Sequence, residues 1–187
     1  MYYYNSTPAS TYAITTSEAK SHLRVTHSTD DTYIDALIAA AHEEVHQYTN
    51  RQIMTATWKL YLDSFPDKIE LKKLPIQSIT TIQYYDEDNA LQTLASTEYK
   101  TSLNAVPALI ETADNDTDWP DTYDRSDAVC ITFVAGWASS ASVPADIKHA
   151  LKLIIGNLYD YRDDLANKRE ITTASMRLLQ PYIIPSI

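Results

Sequence analysis

Ala56-Thr57-Trp58-Lys59-Leu60-Tyr61-Leu62-Asp63-Ser64-Phe65-Pro66 sets apolar Ala56, Trp58, Leu60 and Leu62 in alternation with Thr57, Lys59, Tyr61 and Asp63. A period of two belongs to a strand that lays one face on a core and turns the other to water. From this run the β pattern continues to about Trp137. Strands are expected at 55–63, 68–72, 76–85, 90–94, 98–101, 107–112 and 127–135. Asp86-Glu87-Asp88-Asn89 is a polar turn between two alternating runs, as a hairpin requires. Gly136, one of only 2 glycines, ends the last strand.

Outward from this block the period changes to that of helices. Thr15 and Glu18 form a capping box in which each side chain satisfies the other residue's free amide. A short helix carrying Ala19, Leu23 and Val25 follows. Ser28, Thr29, Asp30 and Asp31 open a second, with acidic groups at the positive end of the dipole. Its apolar stripe is Ile34, Leu37, Ile38, Ala41, Val45 and Tyr48, and Asn50-Arg51 closes it. Beyond the strands, Pro144 stands where a first helical residue belongs. Ile147, Leu151, Ile154, Leu158 and Tyr161 then recur at three-and-four spacing. The fold class expected is α+β: a helical bundle from N- and C-terminal helices, with a β-rich insertion between them. The bundle uses helices at 15–50 and 144–163, and the insertion spans 53–137. Residues 1–13 read as an extended arm, 14–165 as the main domain and 166–187 as a C-terminal assembly segment.

A hydrophobic share of 44% supports a core, and 21% charged residues are ordinary for a folded chain. Twenty-five acidic against 15 basic residues give a net charge of −10, the wrong sign for a domain that grips phosphates. The lone Cys130, between Val129 and Ile131, excludes an internal disulfide and reads as a buried strand thiol. No run is long and apolar enough to span a bilayer, and the polar N-terminus does not resemble a signal peptide. A soluble protein made in a cytoplasm is the expectation. Fourteen tyrosines beside 2 phenylalanines suit surfaces that become covered in an assembly.

One motif points to catalysis. His42-Glu43-Glu44-Val45-His46 matches the H-E-x-x-H word, in which two histidines one helical turn apart bind zinc and the glutamate acts as base. No third ligand follows at the expected place, and the apolar stripe turns both histidines to the helix flank. A solvated flank is therefore preferred, with a zinc-dependent hydrolase on His42, Glu43 and His46 as the alternative; catalytic, metal and cofactor sites are expected to be none. Asp114-Asn115-Asp116-Thr117-Asp118 opens like a calcium loop. However, Trp119 and Arg125 stand where glycine and a bidentate glutamate are needed, so a polar loop is expected. Arg162, Lys168 and Arg169 read as a solvated face.

Several words taken together resemble the phage gp6-like head–tail connector (adaptor) family. They are Ile14-Thr15 through Lys20, His22-Leu23-Arg24-Val25, Thr57-Trp58 with Leu60 to Pro66, and Leu74-Pro75-Ile76-Gln77-Ser78-Ile79. Ile131-Thr132-Phe133-Val134-Ala135-Gly136-Trp137 and Val143-Pro144-Ala145-Asp146-Ile147-Lys148, with Leu158-Tyr159 and Arg162, complete the set in order. The resemblance implies a structural protein without catalysis, a homo-oligomeric and dodecameric ring at the head–tail interface of the virion. It implies contacts with a portal protein on one side and a tail or stopper protein on the other. DNA would pass through the channel without specific binding. A stopper or tail-completion ring differs from this only in position along the axis.

The C-terminal stretch gives the partner-binding candidates: Met176, Leu178, Leu179, Tyr182, Ile183, Ile184 and Ile187. They are many apolar groups in a segment too short to bury them on itself, and Pro181 and Pro185 stop a continuing helix. An exposed apolar tail calls for a covering partner, expected to be ring neighbours or the portal.

Overall fold

The computed structural model describes residues 1–114, 118–161 and 173–184. The chain forms two compact units, residues 1–10 with 55–136 and residues 11–54 with 137–187.

The first unit is all β. Its larger antiparallel sheet has the order β1-β2-β8-β4-β5, formed by β1 (Tyr2–Thr7), β2 (Ala56–Leu62), β8 (Val129–Ala135), β4 (Ile76–Tyr85) and β5 (Leu91–Thr93). The smaller sheet has the order β3-β7-β6, formed by β3 (Ile69–Leu71), β7 (Ala108–Thr112) and β6 (Tyr99–Ser102). In β2 and β8 buried and part-exposed residues alternate without a break. The register sets Trp58 opposite Phe133 and Leu60 opposite Ile131, so both strands send the same set inward. With Ile69, Leu71, Ile82 and Ile110 these side chains make the core of the unit.

Tyr3 joins the two sheets. Its hydroxyl donates to the Glu70 carbonyl and accepts from the Lys72 amide, each at 3.1 Å. Its ring stands edge-on to Phe133 at 6.3 Å. Burial pushes the Tyr3 hydroxyl up to about 12, because a phenolate there would lose its water.

The second unit is helical. Thr15 and Glu18 form the capping box of α1 (Thr16–Leu23): the Glu18 amide donates to Thr15 Oγ1 at 3.2 Å and the Thr15 amide to Glu18 Oε2 at 2.9 Å. Along α2 (Asp31–Thr49), Ile34, Leu37, Ile38, Ala41 and Val45 are buried, and Asn50 closes the helix in the left-handed region. α3 (Ala145–Asp160) buries Ile147, Ala150, Leu151, Ile154 and Ile155. Pro144 is its cap rather than its first residue, and Tyr161 is exposed. The Tyr159 hydroxyl donates to Asp30 at 2.6 Å, fixing α3 to the start of α2. α4 (Thr173–Leu179) packs on α3.

The expected architecture, a helical bundle carrying a β-rich insertion, is corrected. The protein has four described helices and two antiparallel sheets, and the sheets form a compact unit with its own core rather than an outgrowth of a bundle. The strand that completes the larger sheet, β1, comes from ahead of the first helix. The physical reason is that β2 would otherwise expose a row of unpaired backbone groups along its free edge.

Candidate functional site

The H-E-x-x-H residues sit on α2, whose apolar stripe faces its own unit. The expected solvated flank is corrected for His42, which is only 8% exposed. Nε2 accepts the Ala13 amide at 2.8 Å, and Nδ1 donates to the Ile38 carbonyl at 2.9 Å. These two partners fix the neutral tautomer with its proton on Nδ1. Burial lowers the pKa of His42, outweighing the Ile38 carbonyl, which favours the charged ring. Tyr12 covers the imidazole with ring centroids 5.0 Å apart. Both nitrogens are therefore occupied, and a metal could bind only by breaking a buried hydrogen bond. Glu43 is exposed and accepts from Gln47 at 2.9 Å, while His46 Nδ1 lies 3.6 Å from the Glu43 carboxylate. Among the described residues, no group of three His, Cys, Asp or Glu side chains is placed to hold a metal.

Of the calcium-like loop, residues 115–117 lie outside the described residues. Asp114 offers its backbone carbonyl to the Thr112 hydroxyl. Trp119 stacks on Phe65 at 4.9 Å, anchoring the far end of the loop. Arg162, Lys168, Arg169 and Ile187 also lie outside the described residues.

The C-terminal candidates divide. Leu179 and Ile184 are core residues of the helical unit, at 0% and 3% exposure. The Ile184 amide donates to the Thr49 carbonyl at 2.9 Å, and Arg51 Nε donates to the Tyr182 carbonyl at 2.5 Å. The end of α2 leaves those carbonyl and guanidinium partners free for the returning chain, and this ties the segment down. The expectation that these two residues await a partner is thus corrected. Met176, Leu178, Tyr182 and Ile183 remain partly exposed. A cleft of about 730 Å³ opens in the same unit, with Ile14, Ile38 and Met54 as apolar lining and Tyr12, Asp35 and Ser139 as polar lining. The sequence alone does not reveal it, because its lining comes from four separated stretches. Among the described residues, no helix is long and apolar enough to cross a membrane.

The profile of the phage gp6-like head–tail connector protein family matches residues 13–118. No curated protein matches the chain. Among solved structures the fold coincides with a chain from the neck of an empty GTA particle computed with C6 symmetry. The TM-score is 0.82 at 20% identity, over 100% of this chain and 97% of that one. A chain in the virion of a native gene transfer agent particle gives a TM-score of 0.81 at 20% identity, with the same coverage. One from the neck of a native GTA particle computed with C12 symmetry gives 0.74 at 21% identity, again over 100% and 97%. At such identities the likeness is one of fold, whereas the family match covers more than half of the chain. The chain belongs to the phage gp6-like head–tail connector protein family and is a structural head–tail connector.

Proposed function

We propose that the protein is one subunit of a homo-oligomeric ring in the neck of a tailed phage or phage-like particle, seated between portal and tail. Membership of the connector family carries this reading. The full-length likeness of fold to neck chains computed with sixfold and twelvefold symmetry supports a ring, and a dodecamer is the form proposed. The ring would continue the DNA channel without holding the duplex, and its work would be mechanical, with no reaction catalysed. The partly exposed apolar residues Met176, Leu178, Tyr182 and Ile183 are proposed as contacts to neighbours or the portal. Ile187 belongs to the same proposal by sequence alone.

The test is electron microscopy of particles made with and without the protein. A ring of density at the head–tail joint that disappears on deletion, leaving unjoined heads and tails, is the expected result. Deletion particles with intact necks would overturn the reading.

A further inference from the structure

Two oppositely charged surfaces occur in different units of this chain. In the helical unit α1 packs on α3, and His22 lies over Gly156, where a Cβ atom would stand 3.6 Å from its Nε2. Lys148 and Glu18 bridge the same two helices at 3.5 Å. His149 and Lys152 share the α3 face of Gly156 by helical spacing. Arg24, the left-handed residue that caps α1, is exposed, as are His22 and His149. Lys20 and Lys148 are satisfied by Asp31 and Glu18. Among the described residues, no carboxylate lies within ion-pair distance of Arg24, His149 or Lys152. Burial, and then the neighbouring His149 and Lys152, lower the pKa of His22.

The opposite surface is the β4–β5 turn. The Asp86 carboxylate is used by the turn itself, accepting from the amides of Asp88 and Ala90 and from the Gln92 side chain. Glu87 and Asp88 are left exposed. The neighbouring loop, held by the Tyr123 amide donating to the Tyr85 carbonyl at 3.0 Å, adds exposed Asp121 and Asp124. Arg125 in that loop is committed to the Tyr85 ring, 3.9 Å below it, and to the Asn89 side chain. The chain's charge follows the same division. The β unit has fourteen acidic against six basic residues, the helical unit eleven against nine.

We infer that the acidic β4–β5 turn of one copy docks on the basic α1–α3 face of a second copy. The inference rests on the ring reading above and deepens it. A contact that joins two different patches is heterologous, the kind of contact from which a ring is built when its rotation closes. Copies each carrying a net charge of −10 repel one another at long range, so the few places where opposite charges meet set the register.

The experiment uses the full chain in sedimentation velocity from about 0.05 to about 0.5 M NaCl, a range over which screening shortens to a few ångströms. Wild-type assembly should weaken with salt. R24E/K152E and E87K/D88K, checked as folded by circular dichroism, should each weaken it by at least about tenfold, the scale of opposing like charges. Mixing the two variants should restore assembly, because each then offers the other a complementary pair of patches. Assembly that is indifferent to both reversals, or not restored by mixing, overturns the inference and leaves the ring reading intact. A wild-type chain that is monomeric at every concentration and salt overturns both. Retention of duplex DNA by the wild type and its loss in R24E/K152E would give this face to DNA, and the inference would be wrong.

Discussion

At His42 the imidazole is held between two backbone groups from opposite directions, the Ala13 amide and the Ile38 carbonyl. Protonating Nε2 would set two donors against each other, so the ring stays neutral in the fold while an unfolded chain titrates it normally. The sign follows from linkage: the lowered folded pKa gives stability that is complete above the unfolded value, about 6.5, and is lost as pH falls below it. Urea midpoints should therefore drop between pH 7.5 and 5.5, and by less in His42→Gln than in the wild type, a comparison in which equal drops would refute the assignment. His42→Ala should cost about 1–3 kcal/mol at neutral pH by stranding the Ala13 amide, with no change in bound metal. The burial of His42 was not legible in the sequence. Its decisive partner, Ala13, lies 29 residues earlier in the chain, and the stripe of α2 on its own places the histidine at the flank.

At the scale of elements, β1 and the C-terminal segment are the two places where the chain's ends finish a unit begun elsewhere. Tyr3→Phe removes one hydroxyl that serves both Glu70 and Lys72, and should lower stability by about 1–2 kcal/mol in chemical denaturation. Deleting residues 1–7 should do far more, exposing the edge of β2 and the slot occupied by Tyr3. A truncated chain as stable and soluble as the wild type would contradict this. At the other end, Ile184→Ala should cost about 2–4 kcal/mol, and deletion of residues 181–187 should destabilise the helical unit itself. Measuring Met176→Ala in the same assay separates the roles, since it should leave stability nearly unchanged and weaken head joining. β2 and β8 were legible because their burial alternates residue by residue, and α2 because its stripe has a helical period. β1 was not. Tyr2, Tyr3 and Tyr4 show no apolar–polar contrast, so only the partner strand decides which of them is inside.

For the whole molecule, charge is the property that sequence stated most clearly and structure then localised. The excess of acid lies mainly in the β unit, with fourteen acidic against six basic residues. Duplex binding without base contacts depends on cations that replace condensed counterions along the phosphates, and its affinity falls steeply with salt. The basic side chains in the β unit are largely engaged. Lys68 pairs with Glu111 at 2.7 Å, Lys73 lies over the Trp58 ring at 5.1 Å, and Arg125 covers Tyr85. A channel protein also gains from weak adhesion, because packaging and ejection both require the duplex to slide. Purified protein should accordingly show no salt-sensitive duplex binding in fluorescence anisotropy at about 0.15 M salt. Among the described residues, the α1–α3 face is the surface that would break this expectation. For that reason the wild type and R24E/K152E belong in the same titration: a shared flat baseline supports a conduit that leaves DNA free. An affinity that appears in the wild type, falls with salt and is abolished by the reversal would give this face to DNA rather than to a neighbouring copy.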